Sequence, residues 1–162
     1  MKQGITPFLW FDDQAEEAAK QYVSIFSGLG RDAEITEVTR YGPSGAQAGG
    51  RPEGSVMTVA FRLNGQDFVA LNGGPTFQFS EAISFVVNCE TQDEVDQLWA
   101  QLSEGGEEGP CGWLKDRYGV WWQIVPTALA RLLSDPDPKR AERAMAAMLQ
   151  MKKLDIQALE NA

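Results

Sequence analysis

The chain has 162 residues, of which 43% are hydrophobic and 23% are charged, and its formal net charge is −9. This length suits one domain, and the composition excludes disordered and fibrous classes. The acidic balance argues against nucleic-acid binding, and no apolar run reaches the roughly 18 residues of a membrane helix. The N-terminus lacks the layout of a secretory signal, so we expect a cytoplasmic protein.

The first predicted elements in chain order are a strand and a helix. The apolar run over residues 5–11 predicts a short strand with Thr6, Phe8 and Trp10 on one face. Residues 13–16 (DQAE) are typical of a helix N-cap with a capping-box glutamate. Apolar residues then follow at helical spacing until two glycines end the helix.

A strand, a loop and a hairpin are predicted next. Residues 33–41 form the strand, and residues 42–54, rich in Gly, Pro, Ser and Ala, form a mobile loop that would suit a lid. Residues 55–63 and 67–72 flank an Asn-Gly dipeptide, which is the strongest short signal for a hairpin. Residues 1–75 are therefore a first module.

The same order of elements recurs about 78 residues later, which indicates a duplicated module. An alternating strand ends at Cys89, and Thr91 opens a second capping box before an amphipathic helix. A short strand at 107–111 and a hairpin around Tyr118 complete a second module over residues 80–126. The predicted fold class is α+β, with two βαβββ-type modules forming curved mixed sheets around a cavity.

Residues 127–162 predict a helical tail that completes a single domain. Leucines at helical spacing predict one short helix, Asp137 before a proline caps a second, and Asp155 starts a last turn. The second helix would bury four residues: Ala141, Met145, Met148 and Leu149. We expect these side chains to be core, although a partner subunit could also cover them.

The sequence contains no histidine, and this absence restricts its chemistry strongly. Histidine is the most frequent transition-metal ligand and the most frequent general base near neutral pH. A Ser–His or Cys–His nucleophile is excluded within one chain, and a metal site would need carboxylates and amides alone. Cys89 and Cys111 lack CxxC spacing and are expected to be reduced buried thiols rather than a disulfide or a metal clamp.

Two such modules, with Asp116, Gly119 and Gln123 spaced as DxxGxxxQ on the last hairpin, resemble the vicinal oxygen chelate superfamily. The whole chain is similar to its PhnB-like branch, which is also labelled demethylubiquinone methyltransferase-like. The segments that carry the resemblance are ITPFLWF at 5–11, LNGGP at 71–75, ISF at 83–85, CGWLKD at 111–116, QIVP at 123–126 and MKKLDI at 151–156. The resemblance implies a small-molecule cavity between the modules and a homodimer.

The resemblance also implies positions for a ligand set. In metal-using members the ligands lie on the first and last strands of each module, and these places map onto Thr6, Ser84, Gln123 and a residue near Asn72. The usual carboxylate of the last strand is an amide in this chain. Neutral oxygen donors alone do not offset the cost of removing water from a divalent ion. We therefore expect no metal and no cofactor.

What remains is a concave face that combines aromatic walls with amide and hydroxyl groups, as in a pocket for a neutral ligand. Its expected lining is Thr6, Phe8, Trp10, Phe68, Asn72, Ser84, Trp113, Trp121 and Gln123. In the alternative interpretation, Gln123 and Ser84 only bond each other, and Asn72 serves the turn that follows it. One of Trp121 and Trp122 must face the cavity, because neighbouring side chains of a strand point to opposite sides.

Three functions are compatible with these residues. The first is metal-free binding of a small aromatic or amphipathic molecule. The second is an isomerase or lyase that uses Cys111, Glu81 or Asp116 in place of histidine. The third is a structural dimer that assembles through the tail helices. Methyl transfer from adenosyl-methionine has no support, because this donor usually needs a glycine-rich turn after a parallel strand and an acidic ribose contact, and Gly73-Gly74-Pro75 does not supply that context.

Overall fold

The computed structural model describes residues 4–162, and the chain divides into two compact units after Gln78. Each unit contains one four-stranded mixed sheet in which the first and last strands are parallel neighbours. Both units follow the order strand, helix and three further strands, and the second unit also contains the C-terminal helices. This is the predicted α+β fold of two βαβββ-type modules with a helical tail.

The first unit contains β1 (Phe8–Phe11), α1 (Ala15–Gly28), β2 (Ala33–Arg40), α2 (Pro43–Gly49), β3 (Val56–Leu63) and β4 (Gln66–Asn72). Its strands lie in the order β1-β4-β3-β2. Asn64 and Gly65 have φ angles of 50° and 83°, which is the backbone that a two-residue hairpin loop requires. The predicted hairpin is confirmed.

Helix α1 covers one face of the first sheet with a continuous apolar side. Its buried residues are Ala15, Ala18, Ala19, Tyr22, Ile25 and Phe26. The small alanines bring the helix axis close to the sheet, and Tyr22 lies against Phe61 of β3 with 6.1 Å between ring centroids. Because α1 covers only one face, the side chains that point away from α1 form what we call the first open face.

The prediction of a loop over residues 42–54 is wrong in part, because Pro43–Gly49 form helix α2. Proline at the first helical position has a φ angle already set for a helix, and Gly50 ends the helix with a left-handed φ of 64°. The glycines of this segment favour a loop, but Pro43 and Gly50 stand at the positions of a helix start signal and a helix stop signal.

The predicted capping box of α1 is also wrong. Gln14 occupies the N-cap position, and its side chain makes no capping hydrogen bond. The amide oxygen of Asn72 instead accepts a hydrogen bond from the backbone N–H of Ala15 at 2.8 Å. A residue 57 positions away supplies the cap because β4 ends beside the start of α1.

The second unit begins with β5 (Phe85–Cys89), α3 (Gln92–Ser103), β6 (Glu107–Glu108), β7 (Trp113–Lys115) and β8 (Trp121–Pro126). Its strands lie in the order β5-β8-β7-β6. The second predicted capping box is confirmed, since the Thr91 hydroxyl accepts from the backbone N–H of Glu94 and the Glu94 carboxylate accepts from that of Thr91. Helix α3 buries the predicted stripe of Val95, Leu98, Trp99 and Leu102.

The tail forms α4 (Thr127–Leu133), α5 (Pro138–Leu149) and α6 (Ile156–Glu160). A cluster of buried side chains joins the three helices: Leu129, Leu132, Ala144, Leu154 and Leu159. The prediction that Leu149 is buried is wrong, because its side chain is 57% exposed and Ala144 forms the centre of the buried stripe of α5. No helix in the described part of the chain is long and apolar enough to cross a bilayer.

The segment before α6 is attached to α3 by side chains. The Gln92 amide donates to the carbonyl of Leu154 at 3.0 Å and accepts from the backbone N–H of Ile156 at 2.8 Å. Lys153 forms an ion pair with Asp96 at 2.7 Å. These contacts make the tail an integral part of the second unit.

Candidate functional site

The second sheet presents a row of predicted site residues on the face opposite α3. Val87 and Cys89 of β5 and Trp122 and Ile124 of β8 point towards α3 and are buried. The alternating residues of these strands therefore lie on the other side. We call this side the second open face, and it contains Ser84, Val86, Glu107, Trp113, Lys115, Trp121 and Gln123.

Gln123 and Ser84 are brought together on this face. The Gln123 amide nitrogen donates a hydrogen bond to the Ser84 hydroxyl at 2.8 Å, in a partly buried position. The parallel pairing of β5 with β8, which sets Val86 opposite Gln123, creates this contact between residues 39 positions apart. The Ser84 hydroxyl hydrogen and the second N–H of the Gln123 amide are further donors, and the Gln123 amide oxygen is a further acceptor.

Two tryptophans stand beside this polar pair. Trp113 of β7 lies opposite Gln123, and its ring centroid is 6.5 Å from that of Trp121, with the ring planes at 64°. Trp122 is 2% exposed and belongs to the core. Of the adjacent tryptophans on β8, Trp121 is therefore the one on the second open face.

Lys115 is a member of this face that the sequence analysis missed. Its ammonium group lies 5.9 Å from the ring centroid of Trp121 and 2.6 Å from a carboxylate oxygen of Glu107. The Lys115 side chain is 31% exposed, whereas that of Glu107 is 69% exposed. The signal that would have found Lys115 is its position two residues after Trp113, which places both side chains on the same face.

The first open face contains Phe8 and Trp10, as the alternation of β1 predicts. Phe8 is 59% exposed. The Trp10 indole donates to the carbonyl of Gly74 at 2.8 Å and packs edge-on against Phe77 at 4.9 Å. A β-carbon on Gly73 would lie 2.3 Å from the Trp10 ring, so this glycine allows the close packing that holds the indole.

The prediction that Phe68 and Asn72 lie with Phe8 and Trp10 is wrong. Phe68 is 5% exposed and stacks on Phe61 at 5.2 Å, on the side that α1 covers. Asn72 is also 5% exposed, and besides capping α1 it donates to the carbonyl of Val56 at 3.1 Å. Residues 68, 70 and 72 share one face of β4, and α1 packs on that face.

Thr6 lies just before β1 and lines a concavity of about 250 Å³ at the first sheet. The lining includes two charged residues, Arg62 and Asp67, which form an ion pair at 2.7 Å, and Arg62 also pairs with Glu34 at 2.9 Å. The hydrogen bond that Arg62 donates to the Asp67 carboxylate raises the pKa of the guanidinium, so this side chain stays charged. The concavity therefore differs in chemistry from the uncharged pair of the second sheet.

Asp116, one of the proposed substitutes for histidine, is occupied by structural hydrogen bonds. It is 3% exposed, and one oxygen accepts from the backbone N–H groups of Tyr118 and Val120 at 2.9 and 3.0 Å. Its other oxygen accepts from the Trp122 indole at 2.9 Å. Asp116 therefore stabilises the turn between β7 and β8.

Cys111 is held through its backbone. The N–H groups of Cys111 and Gly112 donate to the carbonyls of Met151 and Lys152 at 2.8 and 2.7 Å, with φ angles of 56° and 84°. Both cysteines are free; Cys89 is buried as predicted, whereas the prediction that Cys111 is buried is wrong, because its side chain is half-buried. Among the described residues no three Cys, Asp or Glu side chains are arranged to hold a metal ion.

Comparison with known proteins found one matching family model and several solved structures that are similar to this chain. The family model described as 3-demethylubiquinone-9 3-methyltransferase matches residues 3–125. The PhnB protein from Bacillus cereus is 35% identical, with 77% of this chain and 100% of that chain covered and a TM-score of 0.65. A protein from Pseudomonas aeruginosa is 21% identical, with coverages of 77% and 98% and a TM-score of 0.59, and it supports the fold alone. No curated protein matches.

Proposed function

We propose that this chain, which belongs to the family described as 3-demethylubiquinone-9 3-methyltransferase, binds a small aromatic or amphipathic molecule on the second open face without a metal ion. The observation that carries the proposal is the uncharged Gln123–Ser84 pair beside Trp113 and Trp121. Aromatic walls with a few directed polar groups are typical of small-molecule sites.

Each part of this face supplies a different contribution to binding. The tryptophans offer flat apolar surface, and an aromatic pair contributes about 0.5–1.5 kcal/mol beyond the area that it buries. Gln123 and Ser84 orient the ligand, because a ligand group that pairs with their remaining donors and acceptor gains hydrogen bonds, whereas a group that cannot pair leaves them unsatisfied. Neither group carries the charge that would repay the dehydration of a divalent cation.

The proposal is tested by titrating the purified chain with 2-naphthamide, a neutral aromatic amide, and following the protein by two-dimensional NMR. We expect saturable shifts of the Trp113 and Trp121 indole signals and of the Gln123 side-chain amide. Gln123→Leu should weaken binding by about five- to tenfold, the value of one hydrogen bond.

Gln101→Leu is the matched control, because Gln101 is exposed on α3, and it should leave the affinity unchanged. Absence of saturable shifts at the two indoles would contradict the proposal. One firmly held divalent ion per chain in elemental analysis, lost in Gln123→Leu, would contradict the metal-free part.

The other expectations from the sequence stay predictions. An isomerase or lyase that depends on Cys111 should lose its turnover of carbonyl compounds in Cys111→Ser. The engagement of both Asp116 oxygens leaves that carboxylate poorly suited as its base. Homodimer formation and a cytoplasmic location are retained as predictions of the same kind.

A further inference from the structure

We infer that the ligand of the second open face is an aromatic anion, and that Lys115 binds its carboxylate or other acidic group. This inference rests on the proposed function and specifies the chemical class of the ligand. Among the residues of the second open face, all of which the structure describes, Lys115 is the one base.

The sheet register places the ammonium group at one end of an aromatic surface. Lys115 lies opposite Trp121 on one side and opposite Glu107 on the other, while Trp113 lies opposite Gln123 in the next row. A flat ring against Trp121 therefore extends from the polar Gln123 pair towards the ammonium group 5.9 Å from the indole centroid. A ligand with a hydrogen-bonding group at one end and an acidic group at the other can therefore bind the Gln123 pair and the Lys115 ammonium group at the same time.

The present partner of Lys115 is one that a ligand can replace. Glu107 is 69% exposed and lies on the two-residue edge strand β6, so its ion pair is screened by solvent and contributes little. The Lys115 stem is more buried, and it lies beside the ring that would hold the ligand. When the aromatic ring of a ligand packs against Trp121, a carboxylate on that ring can replace Glu107 as the partner of Lys115. The ring excludes water from the new ion pair, and an ion pair is stronger in less polar surroundings.

The experiment compares 2-naphthoate with 2-naphthamide, which share a ring system and differ in charge. At low ionic strength we expect the native chain to bind naphthoate about fivefold more tightly than naphthamide, the preference that one partly exposed ion pair provides. Lys115→Met keeps the unbranched stem and should reduce this ratio to about one. Glu107→Gln removes the competitor and should raise the affinity for naphthoate while leaving that for naphthamide unchanged.

Lys153→Met is the matched control, because Lys153 also forms an ion pair in the second unit and the variant has the same net charge as Lys115→Met. It should keep the fivefold ratio. A ratio of one in the native chain, a ratio that survives in Lys115→Met, or an equal loss in both lysine variants would overturn the inference. Binding of naphthamide without any preference for naphthoate contradicts this inference alone, whereas absence of binding by both compounds contradicts the proposed function as well.

Discussion

Asn72 illustrates how a single polar residue is used when its strand is covered by a helix. Its amide oxygen accepts from Ala15 and its amide nitrogen donates to Val56, and its own carbonyl accepts from the Tyr41 hydroxyl at 2.6 Å. These bonds join β4 to the start of α1, to β3 and to the end of β2. The family pattern implies a ligand position near Asn72, but the oxygen and the nitrogen of this amide both bond the backbone of the first unit.

We predict that Asn72→Ala destabilises the protein by about 2–3 kcal/mol, because it leaves the buried Ala15 N–H and Val56 carbonyl without their partner. Urea unfolding followed by circular dichroism measures this loss. Asn88→Ala, at an exposed asparagine of β5, is the control and should cost well under about 1 kcal/mol. Equal costs for the two variants would show that Asn72 does not act as a cap.

At the scale of elements, the capping motifs predicted a helix N-terminus correctly where the hydrogen-bond partners are close along the chain. They failed where a residue distant in sequence forms the capping bond instead. Thr91 and Glu94 lie three positions apart and form their capping box as predicted. The similar pattern at residues 13–16 does not form one, because Asn72 reaches the same N–H from β4. The prediction considered neighbours along the chain alone.

The ion pair between α3 and the tail predicts a measurable dependence on pH. The hydrogen bond from Lys153, followed by that from Gln92, lowers the pKa of Asp96. A lowered pKa in the folded state means that the stabilisation is present above the ordinary aspartate pKa of about 3.9 and is lost as the pH falls through the lower folded value.

Lys153→Met should therefore lower the urea midpoint slightly at pH 7, and the difference from the native chain should shrink towards zero at about pH 2. The expected effect at pH 7 is about 0.3–1 kcal/mol, since the two side chains are 41% and 46% exposed. A difference of the same size at both pH values would show that the ion pair does not stabilise the tail.

At the scale of the whole molecule, the two compact units differ in how they are completed. The first unit consists of a sheet, α1 and the short α2, whereas the second adds three helices after its last strand. The family match ends at residue 125, and the helices beyond it pack around a buried cluster of their own. Leu154 is fully buried in the cluster that joins these helices.

We predict that Leu154→Ala destabilises the second unit by about 2–5 kcal/mol, the usual cost of a cavity in a packed core. Hydrogen exchange should rise in α4, α5 and the start of β7, while β3 and β4 of the first unit keep their protection. Leu149→Ala, at a leucine that is 57% exposed, is the control and should have little effect. Faster exchange spread evenly over both units would contradict a separate second core.

The sequence by itself determined most of the elements, the recurrence of their order in the second half of the chain, and the family, because alternation, helical spacing, capping residues and turn dipeptides act over a few positions. It also excluded imidazole chemistry within the chain, since that follows from composition. The tertiary structure alone decided which of two alternating sets of side chains is covered. Alternation assigns the residues of each strand to two faces, but the side on which the helix packs is a property of the assembled sheet. For that reason Trp121 and Gln123 are joined on an open face by Lys115, whereas Phe68 and Asn72 are buried beneath α1.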